Sequence, residues 1–330
     1  MNKQLYGSRV FVTGAAGFIG SALVQHLHSS GARVRAFVRY TSRGDTGLLK
    51  FLPEDVRDAV ELVFGDLRDH AAVEQAARDM DIVFHLGALI SIPYSYVHPV
   101  ETVQSNVIGT LNVLEACRKL GPRLVHTSTS EVYGTALSVP IDENHPLQGQ
   151  SPYSASKIGA DKLVESYTRA FDLKAVTVRP FNTYGPGQSA RAVIPTIITQ
   201  ALAQDEIHLG NLDARRDFTY VSDTVEGFIQ AATADQAIGE TINLGYSEDI
   251  SIGELADLIL ALIGRPVKII VDEERLRPEK SEVMRLVSDN SKAQELLDWS
   301  PQVNFRDGLS RTIDWISKHL DWYNIGKYER

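Results

Sequence analysis

A single cysteine, Cys117, stands in a chain of 330 residues, so no internal disulfide can brace it. That residue falls in the helical, apolar setting Val113-Leu114-Glu115-Ala116-Cys117, which predicts a buried structural thiol. Positive charge is also short: 33 Lys and Arg face 42 Asp and Glu, a formal net charge of -9. This argues against nucleic acid as a partner. No apolar run reaches the roughly 18 residues of a membrane span, and the N-terminus lacks the apolar core of a secretion signal. Histidines are scattered without metal-ligand spacing, and no repeat or low-complexity segment stands out. A protein of the cytoplasm, without a metal, is expected.

What is present begins at the N-terminus. The strand Arg9-Val10-Phe11-Val12-Thr13 runs into Gly14-Ala15-Ala16-Gly17-Phe18-Ile19-Gly20, then a helical pattern from Ser21 and a second strand at Val34–Val38. Strand, glycine turn, helix and strand within about thirty residues is the context of a dinucleotide fingerprint. Gly14 permits the tight turn, Gly17 lets the backbone approach a pyrophosphate, and Gly20 lets the helix pack closely on the strand. The helix N-terminus then offers free N–H groups and a positive dipole end to phosphates.

Further strands are expected at Val60–Phe64, Ile82–His85, Leu124–His126 and Ala175–Val178, with helices near Ala71–Arg78, Val100–Leu120 and Ser154–Ala170. Such alternation predicts an α/β fold with a parallel sheet covered on both faces. Within it, Tyr153 and Lys157 are four apart and would share a helix face. A cation held beside a phenol favours the phenolate, and a phenol so tuned is a useful general base. Thr129-Ser130-Glu131 lies some twenty residues upstream, and on a continuing strand Thr129 and Glu131 would point to one face.

Taken in order, these stretches resemble the extended short-chain dehydrogenase/reductase family of nucleotide-sugar epimerases and dehydratases. Gly65-Asp66-Leu67, His85-Leu86-Gly87-Ala88, Ser105-Asn106-Val107-x-Gly109-Thr110, Arg179-Pro180-Phe181-Asn182-Thr183-Tyr184-Gly185-Pro186 and Arg216-Asp217-Phe218 extend the match over nearly the whole chain. The resemblance implies a Rossmann-type doubly wound sheet, formed by residues 1–180 and about 218–244. A smaller substrate-binding domain would be formed by about 181–217 and 245–330. Thr13, Gly14, Gly17, Phe18, Ile19, Gly20, Asp66, Leu67, Leu86, Gly87, Ala88 and Asn106 would line the cofactor, with Tyr153 as base and Lys157 tuning it and holding the nicotinamide ribose. Thr129 would bond the sugar 4-oxygen. The helices near 100–120 and 154–170, striped with Val103, Val107, Leu111 and Leu114, would form a homodimer's four-helix bundle.

By the same resemblance Glu131 separates a dehydratase from an epimerase, but not from the UDP-glucuronate decarboxylases, which also carry Thr-Ser-Glu. A 4,6-dehydratase needs a carboxylate to take the C5 proton, whereas 4-epimerases usually carry a small or hydroxyl residue there. Ser130 replaces the aspartate common in glucose-nucleotide dehydratases, so either Glu131 serves both proton steps or Ser130 relays one. The fullest resemblance is to bacterial 4,6-dehydratases of nucleotide-linked N-acetylglucosamine in legionaminic acid pathways, through Ala88–Tyr96, Pro146–Tyr153, Gln188–Pro195 and Arg277–Glu282. A 4-epimerase of UDP-N-acetylhexosamines and a UDP-glucuronate decarboxylase remain the alternatives, as do UDP and GDP. Substrate contacts are expected from Ser91, Glu131, Asn182, Arg191, Arg216 and Arg277. Cofactor choice is divided. The second strand ends without an acid, and Arg39 and Arg43 could hold the 2′-phosphate of NADP, whereas the resemblance implies NAD, so the expectation is NAD(P), tightly bound and recycled.

Overall fold

The computed structural model describes residues 5–276 and 281–325. Seven parallel strands form its central sheet: β1 (Arg9–Thr13), β2 (Arg33–Arg39), β3 (Glu61–Gly65), β4 (Ile82–His85), β5 (Arg123–Thr127), β6 (Ala175–Pro180) and, late in the chain, Thr241–Leu244. Their order is 3-2-1-4-5-6 with Thr241–Leu244 beyond β6. The strand order reverses between β1 and β4, and that switch point marks the crevice in which doubly wound sheets bind ligands. The side-chain alternation of β1 explains its two covers. Val10 and Val12 enter one core with Leu23, Val24 and Phe228, while Phe11 enters another with Val73, Leu114 and Val164. Two-sided burial of this kind is why the strands read as continuous apolar runs.

Helices α1 (Phe18–Ser29), α2 (Glu54–Ala59), α3 (His70–Ala76), α4 (Ile92–Val97), α5 (Pro99–Val103), α6 (Gly109–Leu120) and α7 (Pro152–Phe171) connect the first six strands. The single helix expected over 100–120 is two α-helices joined by a π-helical turn at Gln104–Ile108. The stripe expected along it splits accordingly: Leu114 is fully buried, whereas Val103 is exposed. Asn106 lies in that turn. Its carboxamide, buried in the turn, accepts from the Leu89 N–H at 2.7 Å and donates to Leu89 O and Ser156 Oγ, both at 2.9 Å.

A smaller sheet gathers around β9 (Arg215–Tyr220), which pairs with β7 (Asn182–Tyr184), β11 (Asp249–Ser251) and β13 (Arg285–Leu286). Strands β8 (Glu206–Leu209) and β12 (Lys268–Val271) pair separately. Helices α8 (Val193–Ala203), α9 (Val221–Thr233), α10 (Ile252–Ile263), α11 (Ser291–Leu297) and α12 (Phe305–Lys318) complete the fold. Thr241–Leu244 is therefore β10, and the core containing Val10 and Val12 runs on into Ile252, Leu255 and Ile316. Among the described residues, no helix is long and apolar enough to cross a membrane, and no group of His, Cys, Asp and Glu could hold a metal.

Candidate active site

The glycine turn after β1 is as tight as its sequence predicts. Gly14 has φ +69°, and a Cβ there would lie 2.7 Å from Gly87 N. A Cβ on Gly20 would run into the Gly14 carbonyl, and one on Gly17 would lie 3.2 Å from it. Gly17 caps α1 without any side-chain bond, and the first turn carries no acid to compete with an anion. Phe18 and Ile19 begin that turn half-buried. Thr13 is fully buried, its Oγ1 accepting from Gly87 N–H at 3.1 Å and lying 2.8 Å from His85 Nδ1. It therefore shapes the half-buried loop Leu86-Gly87-Ala88 from beneath. Leu67 closes the same wall, since a Cβ on Gly87 would meet its Cδ1 at 2.6 Å. These residues fit a dinucleotide: the cradle is one that added Cβ atoms would fill.

At the far end of β2 and β3 two acids meet two arginines. Asp66 accepts from Arg68 through Nε at 2.9 Å and Nη2 at 2.6 Å. Arg39 Nη2 lies 3.5 Å from Glu101 Oε1, and Glu101 also accepts from the Tyr94 hydroxyl at 2.6 Å. The pair expected to await a 2′-phosphate is thus partly occupied: Arg39 has an acid partner, from α5, that the second strand gave no sign of. Arg43 is exposed in the loop beyond.

Tyr153 and Lys157 lie on α7, whose start is fixed by Pro152 and a reciprocal bond pair between Ser151 and Ser154. Both are buried, 6% and 4% exposed. Burial pushes the Tyr153 phenol above its ordinary value, as do the charges of Glu131 and Asp161, while a Thr129 hydrogen bond opposes. Lys157 meanwhile points its ammonium at Thr127 O, 2.6 Å away. Its own pKa falls to about 8 because burial disfavours the cation, with Asp161 opposing.

The strand argument for Glu131 is corrected. β5 ends at Thr127, and Ser130–Tyr133 is a 3₁₀ turn capped by Thr129, whose Oγ1 accepts from Glu131 N–H at 3.2 Å. A turn, rather than a shared strand face, brings Thr129 and Glu131 to the Tyr153 phenol, where both are felt. Ser130 is buried within that turn.

Ser91 caps α4, accepting from Tyr94 N–H at 3.3 Å. Arg191 is exposed before α8, yet its charge is felt at the Tyr94 phenol. Arg216 is buried on β9, donating from Nη1 to Arg215 O at 2.9 Å and lying 3.6 Å from Glu282. Asn182 donates to Asp217 O at 3.1 Å, joining β7 to the strand of Arg216. Arg277 lies outside the described residues.

Sequence reasoning missed what lies beneath Lys157. Asp161 takes Ser128 Oγ at 2.8 Å and Arg179 through Nη2 at 2.9 Å and Nε at 3.2 Å, with His126 Nε2 at 3.3 Å. The available signal was spacing: Tyr153, Lys157 and Asp161 recur every four residues on one helix.

Comparison with known proteins agrees with this geometry. Residues 11–312 match the family described as GDP-mannose 4,6 dehydratase. A UDP-glucose 4-epimerase of Mycolicibacterium smegmatis is 32% identical, over 93% of this chain and 98% of its own. UDP-glucuronic acid decarboxylase 6 of Arabidopsis thaliana is 34% identical, over 93% and 89%. The dTDP-glucose 4,6-dehydratase DesIV of Streptomyces venezuelae, solved with NAD bound, superposes with a TM-score of 0.86 at 29% identity, over 96% of this chain and 99% of that one. With the glycine cradle, the Tyr-Lys helix and a match spanning both sheets, the chain belongs to the extended short-chain dehydrogenase/reductase family of NAD-dependent epimerases and dehydratases.

Proposed function

We propose that this protein is a nucleotide-sugar 4,6-dehydratase, converting UDP- or GDP-N-acetylglucosamine to its 4-keto-6-deoxy product. The observation that carries the reading is the Glu131 carboxylate, set by the Thr129-capped turn within electrostatic reach of the Tyr153 phenol. An epimerase has no use for a carboxylate there. Relatives of three activities share about the same identity with this chain, so overall similarity favours none of them.

A dinucleotide held by Gly14, Gly17, Gly20 and the α1 N-terminus would supply hydride acceptance from sugar C4 and return to C6. Tyr153 Oη takes the 4-hydroxyl proton while Thr129 Oγ1 bonds the same oxygen. Lys157 would steady the phenolate before that proton arrives and hold the nicotinamide ribose. Once C4 is a ketone, the C5 proton is acidic and a Glu131 oxygen removes it. The 6-hydroxyl leaves as water, with Glu131 returning the proton or Ser130 relaying it; as hydride comes back to C6, C5 takes up a proton equivalent to the one Tyr153 accepted, which leaves Tyr153 a phenolate again. Arg216, Arg191 and Asn182, from the part of the chain assigned to substrate at 181–217 and beyond 245, would hold the diphosphate and sugar; arginine suits that charge through paired N–H donors.

Glu101, 3.5 Å from Arg39, would repel a 2′-phosphate held by that arginine, which supports NAD over NADP. The exposed face of α5, where Val100 is 68% accessible, supports a homodimer through α5, α6 and α7, and light scattering of the purified protein at twice 36.4 kDa would bear it out.

The test is mass spectrometry after separate incubation with UDP- and GDP-N-acetylglucosamine. Loss of one water, abolished in Glu131→Gln, is expected with one of them. An unchanged mass with a new stereoisomer by NMR would overturn the dehydratase reading in favour of an epimerase.

A further inference from the structure

Lys157 carries its charge deep inside the protein. At 4% exposure its ammonium has left water, and a buried cation is costly unless a counter-charge is near. Thr127 O supplies a dipole to it, but no charge. One helical turn on, and equally buried, lies Asp161, whose carboxylate stays ionised. Burial alone would favour its acid form, but His126, Arg179 and Lys157 together hold its pKa below the ordinary value.

We propose that Asp161 is the counter-charge of Lys157, a positioning residue that holds the buried lysine in its ammonium form and so sets the pH window of the Tyr153–Lys157 pair. The proposal rests on that pair being the proton-handling unit assigned above. The carboxylate is anchored from two strands: Ser128 and His126 bind it from the β5 side and Arg179 from β6. It is thus fixed at one depth under α7.

The groups around it leave few ways to balance charge. His126, and His85 beyond it at 5.7 Å between ring centres, are held neutral by burial. Arg179, on β6, shares its guanidinium between Asp161 and the Tyr133 hydroxyl at 2.9 Å. Glu131 faces the phenol from the turn. Removing the Asp161 charge leaves two buried cations, Lys157 and Arg179. A guanidinium cannot give up its proton in a protein, whereas an ammonium can. Lys157 would discharge. The same removal relieves the phenol of a nearby negative charge, so the phenol also moves toward acid wherever Lys157 still carries its proton.

The experiment follows Lys157 by ¹³C NMR in protein labelled at lysine Cε, its signal assigned by Lys157→Met. Asp161→Asn is compared with Asp161→Asn/Arg179→Met, which leaves no unpaired guanidinium. In both, the Lys157 midpoint should fall from about 8 by at least about one unit, a tenfold change in the ammonium-to-amine ratio. Arg179→Met alone, which leaves Asp161 to Lys157, should raise it. In turnover, the whole pH profile should slide toward acid. An unmoved midpoint in the folded double variant, or in Arg179→Met, would overturn the proposal, as would activity lowered equally at every pH. A shifted midpoint in protein that turns over no nucleotide sugar would sink the functional reading and leave the counter-charge standing.

Discussion

Ser95 Oγ accepts a hydrogen bond from the backbone N–H of Tyr153 at 3.2 Å, tying α4 to the helix that carries the phenol. Tyr153 is the second residue of that helix, so its N–H has no partner within the helix itself. Ser95 is fully buried and passes its own proton to Ile92 O at 2.7 Å. Ser95→Ala should therefore lose about 1–3 kcal/mol in denaturant unfolding, the cost of a buried unsatisfied donor. Turnover should fall several-fold more than KM changes, because the phenol's placement is disturbed and the substrate's diphosphate contacts are not.

Removal of the phenolic hydroxyl tests the base directly. Tyr153→Phe should reduce kcat by about 10²- to 10⁴-fold, the range of a positioned general base. Nucleotide-sugar affinity by calorimetry should change only a few-fold. A kcat within tenfold of wild type would remove Tyr153 from its assigned role.

Cofactor preference is predicted to hinge on Glu101. Its carboxylate, held ionised chiefly by the Tyr94 hydroxyl and also by the charge of Arg39, would repel a 2′-phosphate. Glu101→Gln should strengthen NADP binding relative to NAD by tenfold or more, read as the ratio of dissociation constants. An unchanged ratio would show that Arg39 does not face the ribose.

Much of this was readable from residue order. The β1 boundaries, the glycine turn, and the strand-helix alternation follow from apolar runs and punctuating glycines, which act locally. The turn joining Thr129 to Glu131 was not legible: residue order lets the strand run on past Thr127, because nothing local shows that Thr129 is a cap. The Glu101–Arg39 pair spans 62 positions and the Ser95–Tyr153 bond 58, distances that only the folded sheet closes. The surroundings of Tyr153 and Lys157 were not legible for a different reason. Spacing gives proximity, but burial, which spacing does not report, dominates both groups.

The two later glycines of the turn should separate folding from binding. At Gly20 an added methyl meets backbone that cannot yield, so Gly20→Ala should be strongly destabilised, beyond the about 1–3 kcal/mol of ordinary overpacking. At Gly17 the nearest atom is 3.2 Å away and the position is exposed. Gly17→Ala should melt near the wild-type temperature yet bind the dinucleotide more weakly, in calorimetry of protein stripped of cofactor.

The π-helical turn at Gln104–Ile108 gives this stretch an unusual sensitivity to length. Each residue in a helix turns the chain by about 100° and advances it about 1.5 Å. Deleting one position there would restore a regular ladder and swing the preceding segment a quarter-turn or more. Val100 would then leave its outward bearing, and Glu101 would leave Arg39. The surplus residue works as a phase setting between the two ends of one rod: the count of residues, more than their identity, decides which way the first half faces.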